Sequence, residues 1–481
     1  MWHSVSKKRK LRVSKHIKKE KIMKHQHTII PDEIRPSLQE IGGWSLQLQQ
    51  LHRRIAPRFA RPEPRRRALL YLQAILSEIP RKNSWQVAEQ ARQAQPYGMQ
   101  RLLSSAVWDV DGVRDDLRAY VLERLGTPDG AGAIAVLDES GFPKRGKKSA
   151  GVKKQHCGVT GRVENCQVGV FLTYVTTRGH ALIDRDLYLP EDWLNDRERC
   201  QEAGIADTVQ FHPKWELALH MLERARGAGL PFQWVVADTV YGRAVDLRTW
   251  LEKHGYAYVL AIACNDAVCV QSPHGCLLAE AREADATLVQ EQDWQRLSMS
   301  QGTKGPRLFD WALLPVVHQG VVDGCHWLLI RRCTDDPDEK AYYLVFAPPA
   351  TTLQEIVSAI GARWHIEEDL EATKDLGLDQ YEVRSFIGWY RHVTLVLLAY
   401  AFLVGIRVQD QSHLPANAPP KQAESPQPLL PITTSEVRHL LARLFFPLPS
   451  HAILVQAWSS WRRQHQYWAS HYHTRQRLKA G

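Results

Sequence analysis

A chain of 481 residues has room for two to four domains, and 24% charged with 44% hydrophobic residues is an ordinary globular composition. The net charge is +10, but residues 1–24 carry ten Lys/Arg against Glu20 alone. That stretch accounts for +9, so the pI is no argument for a basic body. The longest strongly apolar run, Val393–Ile406, is fourteen residues, too short to span a bilayer, and no apolar signal segment follows the basic N-terminus. A membrane partner and secretion are excluded on this reading, and a cytoplasmic protein is expected.

The eight cysteines form no C-x-x-C pair and no zinc-type spacing, so reduced, mostly buried thiols are expected. Residues 1–30 read as a basic disordered tail. It suits non-specific nucleic-acid contact, an extension of no consequence, or upstream sequence before a start at Met23, and these stay open.

Residues 31–128 read as all-helical, with 3.6-type apolar spacing in SWQVAEQA and GMQRLLSSAVWDVDGVRDDLRAYVLERL and with Ser84 and Asp111 as helix caps. Nine cations between Arg53 and Lys82, among them Arg65, Arg66, Arg67 and Lys82, face only Glu63 and Glu78. That density suits DNA phosphates, although an amphipathic helix with a basic outer face has the same pattern.

Residues 129–264 change character. Ala133–Leu137, Gly158–Thr176, His180–Leu189, Phe232–Ala237 and Tyr256–Ala263 read as strands, with helices over Lys214–Arg226 and Ala244–His254. The order predicts a mixed sheet with helices against it. Residues 265–355 break the alternation and read as a β-rich insertion. Helical patterning resumes over 356–408, residues 409–435 form a proline-rich linker, and 436–481 a basic, aromatic helical segment.

Asp138 and Asp238 each follow an apolar run predicted to be a central strand. Open α/β sheets place ligands at such strand ends, and a buried carboxylate there needs a partner, which a divalent cation supplies. A third acid on a nearby helix completes an oxygen-ligand set for two Mg²⁺. The segment Arg363–Asp375, RWHIEEDLEATKD, offers one. Helical spacing aligns Arg363, Glu367, Leu370, Glu371 and Lys374 on one stripe and turns Glu368 and Asp369 away, leaving Glu367 and Glu371 in competition.

Arg363-x3-Glu367-x6-Lys374 resembles the Y-(2)-R-(3)-E-(6)-K signature of a large group of insertion-sequence DDE transposases. LDESGFPKRGKKSAGVKKQHCGVTGRVENCQVGV, VVADTVYG and RWHIEEDLEATKDLGLDQYEVRSFIGWYRH, in that order, are similar to the insertion sequence 701-like family, over roughly residues 45–408. The resemblance implies a ribonuclease H-like α/β fold, interrupted by the β-rich insertion and preceded by the helical domain. It also implies an Asp138–Asp238–Glu367 triad holding two Mg²⁺, with Mn²⁺ as a substitute, and it selects Glu367 over Glu371. Arg363 and Lys374 are implied to contact DNA phosphates. The signature tyrosine falls on Ile360, a departure that removes one hydroxyl.

Some similar transposases stack an extruded base on an aromatic of the insertion, which makes Trp294 and Trp311 candidates, with core packing as the alternative. The implied function is DNA transposition in a prokaryotic cytoplasm or nucleoid. The helical domain would bind the terminal inverted repeats of double-stranded DNA, the metal site would cleave and join, and a homodimer would pair two ends. The alternatives are a nuclease of the same fold without strand transfer and a domesticated DNA-binding protein with an idle site.

Overall fold

The computed structural model describes residues 36–302, 305–412 and 431–480. The basic tail over 1–30 and most of the proline-rich segment lie outside the described residues. Residues 1–46 and 47–481 separate as two units, and the described part of the first is the beginning of helix Leu38–Ile55.

The N-terminal region is helical, with further helices Pro62–Leu76, Ser84–Gln90, Tyr97–Ser104 and Val110–Leu125. Pro62 opens its helix where no amide partner is needed. The caps differ from those read in the sequence by one or two positions. Asn83 caps the helix that Ser84 begins, accepting from the Gln86 N–H, and Asp109 caps Val110–Leu125, accepting from the Gly112 N–H, with Asp111 inside the first turn. The N-cap oxygen that satisfies the N2 or N3 amide comes from the residue just before the helix, and Ser84 and Asp111 are already inside.

Ten strands build one sheet among the described residues. β1 (Ile134–Pro143), β3 (Arg162–Thr176) and β4 (Gly179–Tyr188) form an antiparallel meander. A short β2 (Lys153–Cys157), not foreseen in the sequence, pairs with the start of β3. On the other side of β1 lies β5 (Trp234–Ala237), and beyond it β6 (Ala257–Ile262), both parallel to β1. The order β4-β3-β1-β5-β6, three antiparallel strands and then two parallel ones, is the ribonuclease H-like arrangement.

The 265–355 segment contributes β7 (Ala267–Ser272) and β8 (Gly275–Glu280) as a separate hairpin. Its other strands, β9 (Gln295–Gly302), β10 (Gly305–Pro315), β11 (His326–Cys333) and β12 (Lys340–Phe346), continue the main sheet. β12 pairs antiparallel with β6, from Tyr342 opposite Ile262 to Phe346 opposite Tyr258. The insertion is therefore hydrogen-bonded to the central sheet, and a small core around Val268, Val270, Leu328 and Ile330 also takes in Ile262 of β6. Cys269 and Cys276 are disulfide-bonded across the β7–β8 hairpin, which corrects the expectation of free thiols at those two positions. Cys157, Cys166 and Cys200 are buried and free, as read, whereas Cys325 and Cys333 are half-buried and Cys264 is exposed, so burial extends to only half of the free thiols.

The apolar run read as a buried helix is the centre of Phe386–Ser412. It is long and apolar enough to cross a membrane, but 89% of its apolar window is buried inside the protein. A helix apolar on all sides has to be covered all round. It packs against β4 and against Val110–Leu125 and Pro62–Leu76, so the helical region and the sheet share it as core. The His392 ring meets the Tyr71 hydroxyl at 2.8 Å across that contact. The helix Trp364–Asp375 lies over β4, β3 and β1.

Candidate active site

Parallel pairing of β1 with β5 runs from Ile134 opposite Trp234 to Leu137 opposite Ala237 and stops there. Asp138 and Asp238 are the next residue on each strand, so register alone sets them side by side. β1 itself does not end at Asp138, because its antiparallel pairing with β3 continues to Pro143. β5 does end, and Asp238 caps the short helix Thr239–Gly242, accepting from the Val240 N–H at 2.9 Å. Gly242 closes that turn because a side chain there would strike the Ala261 carbonyl of β6.

A third carboxylate joins them from an unexpected place. Carboxylate oxygens of Asp138, Glu139 and Asp238 lie within 4.8 Å of one another. Strand alternation would send Glu139 to the opposite face from Asp138. Past Leu137, however, β1 has no parallel neighbour, and Glu139 leans into the gap. Lys214 forms an ion pair with it there, and the Tyr241 hydroxyl donates to it at 3.1 Å. Glu139, Lys214 and Tyr241 were not singled out in the sequence. The adjacent acid in LDES was the only available signal.

The cluster is electrostatically expensive. Burial, with Asp238 beside it, pushes the Asp138 carboxyl up to about 7 despite the pull of Arg363. Burial and Glu139 push Asp238 upward as well. Hard oxygen donors crowded in a half-buried site, one holding a proton near neutrality, form a donor set that a divalent cation fits, since it would displace that proton and cancel the repulsion.

Glu367 reaches the cluster through Arg363. The guanidinium puts Nη1 at 3.5 Å from Asp138 Oδ2 and Nη2 at 2.6 Å from Glu367 Oε1. One planar group thus holds the two carboxylates within about a nanometre of each other. Glu371, the geometric competitor, is exposed one turn on. Asp369 points the other way into the core, where it accepts from Thr173 Oγ1 at 3.0 Å and Tyr400 at 2.7 Å and meets His180 Nδ1 at 2.6 Å. Ile360, at the signature tyrosine position, is buried. Its neighbour Gly361 admits the Met299 carbonyl of β9, where a Cβ would clash, so the insertion presses on the turn before the Glu367 helix.

The remaining sequence candidates separate. Lys374 is half-buried two turns beyond Glu367. Arg66 is exposed, while Arg65 donates to the Phe59 carbonyl at 3.1 Å and Arg67 lies against Gly98. Lys82 is not placed to touch DNA, being only 3% exposed, with its ammonium donating to the Ser77 and Ile79 carbonyls just past the end of helix Pro62–Leu76. Trp311 is fully buried beside Phe309 and Tyr343, so no base can stack on it in this structure. Trp294 is half-buried, with the Arg332 guanidinium over its ring at 4.3 Å. An exposed aromatic next to Arg363 in the chain is instead Trp364. It is 40% exposed, and Arg307 of β10 lies 4.4 Å over its ring.

The chain is 22% identical over 314 residues to the probable transposase for insertion sequence element IS701 of Microchaete diplosiphon, covering 65% of this chain and 75% of that one. Among solved structures it has a TM-score of 0.42 and 11% identity to a piggyBac transposase synaptic complex with hairpin DNA, over 83% of this chain and 76% of that one. Endonuclease V from Streptomyces avermitilis gives a TM-score of 0.21 and 12% identity, over 55% and 92%. The family described as DDE superfamily endonuclease matches residues 54–306, more than half of the chain, with Asp138 and Asp238 inside the match and Glu367 beyond it. On that match, the chain belongs to the DDE superfamily endonuclease family.

Proposed function

We propose that this enzyme is a DNA transposase that cleaves the ends of its own insertion sequence and joins them to target DNA. The observation that carries the reading is the meeting of Asp138 and Asp238 at adjacent strand positions, with Glu367 linked to them through one arginine. In this reading the three acids hold two Mg²⁺, or Mn²⁺ in their place. When bound, such a pair supplies an acidified water and neutralises charge on the phosphoryl group.

The protein's own groups do the positioning. The two N–H edges of Arg363, now shared between Asp138 and Glu367, match a phosphate in shape once the acids have another counter-charge. Lys374 adds a cation further along the same helix face. Lys214 and Tyr241 hold Glu139 in place from the other side. Arg66, with Arg65 and Arg67 behind it, and the exposed Arg53, Arg61 and Arg81 supply a basic surface on the helical region for terminal-repeat DNA. Two ends have to be brought together, so the active assembly is a homodimer acting in the cytoplasm or on the nucleoid.

The test uses a duplex oligonucleotide carrying one element end. Wild-type protein with Mg²⁺ is expected to nick at the end and form strand-transfer products with a target duplex. Asp138→Asn should do neither while retaining most of its DNA binding. Wild-type-like nicking by that variant would reject the site, and nicking without joined products by the wild type would identify a nuclease.

A further inference from the structure

A second set of metal-type ligands lies away from the acidic site and is not used by the proposed reaction. Glu252 projects from helix Val245–Lys253, His318 sits in the turn after β10, and His326 begins β11. One ligand atom from each lies within 4.8 Å of the others. They border a cavity of about 180 Å³ that Arg248, Cys269 and Trp327 also line. The two histidines belong to the insertion and the glutamate to the helix that follows the Asp238 turn.

His326 is the informative residue. It is 7% exposed, and its Nδ1 lies 2.7 Å from Asp323 Oδ2. Asp323 is itself fixed by the backbone N–H groups of Cys325 and His326 at 2.8 and 3.1 Å. A carboxylate only accepts, so Nδ1 carries a proton, and in the neutral imidazole the lone pair then sits on Nε2. That buried Nε2 has no hydrogen-bond partner, although Glu252 Oε1 is 3.3 Å away, because the contact lacks hydrogen-bond alignment. Glu252 is oriented in turn by the Tyr258 hydroxyl at 2.7 Å. A buried imidazole with an idle lone pair, aimed at a carboxylate and backed by a second carboxylate, is how proteins prepare a histidine to bind a metal.

We propose that Glu252, His318 and His326 form a three-ligand Zn²⁺ site that ties the insertion to helix Val245–Lys253. Two imidazole nitrogens and one carboxylate oxygen are a zinc ligand set rather than a magnesium one, and the cavity leaves a fourth position for water. The His318 and His326 rings are stacked 4.1 Å apart at 7°. An ion bound to both has to lie in the plane of each ring, so His318, the more exposed of the two, rotates off the stack on binding. His326 and Glu252 are already in place. The rival occupant of the gap is a proton, making His326 an imidazolium between Glu252 and Asp323.

The full-length protein, stripped with a chelator and dialysed, decides between them when titrated with Co²⁺ as a spectroscopic probe and then with Zn²⁺. Wild type and Asp138→Asn are both expected to show one equivalent of four-coordinate Co²⁺, distinct from any ion at the acidic site, with intense bands that Zn²⁺ abolishes and a raised melting temperature. His318→Gln, at a partly exposed position that folding tolerates, should lose that equivalent. Asp323→Asn should weaken it ~10–100-fold. Absence of the four-coordinate spectrum in the wild type would overturn the proposal in favour of the ion pair. So would retention of the equivalent by His318→Gln with its loss from His365→Gln or His220→Gln, members of two other His/Glu groups.

Discussion

Asp138→Asn separates catalysis from stability, and the two should move in opposite directions. The wild-type carboxyl is raised from 3.8 to about 7, chiefly by burial and then by Asp238. An acid whose pKa is raised by folding keeps its full contribution below 3.8 and loses it as pH rises through about 7. Above that window the folded protein carries the whole penalty, at most ~4 kcal/mol for a shift of about three units. Asparagine is never charged, nearly isosteric, and able to keep the 2.7 Å hydrogen bond from the Glu139 N–H. Metal-free Asp138→Asn should therefore melt several degrees above metal-free wild type at pH 8, with the gap shrinking towards pH 5. Mg²⁺ should stabilise the wild type more than the variant. Differential scanning fluorimetry in chelator and in Mg²⁺, at both pH values, reads all of this. A variant that melts at or below the wild type at pH 8, or a gap independent of pH, would refute the claim that burial and the neighbouring Asp238 penalise the Asp138 carboxylate.

Three further outcomes are expected. Arg363→Gln should cut strand cleavage ~100-fold, the usual cost of one well-aimed cationic donor, and Arg363→Lys should recover only part of it, because an ammonium cannot span Asp138 and Glu367; single-turnover nicking assays measure both. Asp369→Asn should cost ~3 kcal/mol in denaturant unfolding, since Thr173, His180 and Tyr400 converge on a buried carboxylate, while exposed Glu368→Gln should stay within ~0.5 kcal/mol. Lys82→Met should leave the salt dependence of DNA binding unchanged, whereas Arg66→Ala should reduce the slope of log K against log salt by ~0.9; fluorescence anisotropy over a salt series distinguishes a buried ammonium from a phosphate contact.

Much of this architecture is carried by local signals. Apolar runs that stop at an acid marked β1 and β5 and pointed to Asp138 and Asp238, because a buried strand and its exit have different chemistry at neighbouring positions. Helical spacing narrowed the third acid to Glu367 or Glu371, and the likeness of the surrounding motif selected Glu367. The fourteen-residue apolar run announced a buried helix, because nothing apolar on all sides can face water.

What the sequence could not contain is which segments meet, since pairing energy belongs to neighbours far apart along the chain. Register between β1 and β5 decided that Asp138 and Asp238 lie abreast. The early end of β5 let Glu139 turn towards them against strand alternation. Antiparallel pairing of β12 with β6 made the β-rich insertion part of the central sheet. The same packing turned Lys82 inward to helix-end carbonyls, covered Trp311, left Trp364 exposed beside Arg363, and put that arginine between two acids far apart in the sequence. Composition and periodicity determine which face of each element seeks burial, and only the assembled sheet determines which charges are left looking at one another.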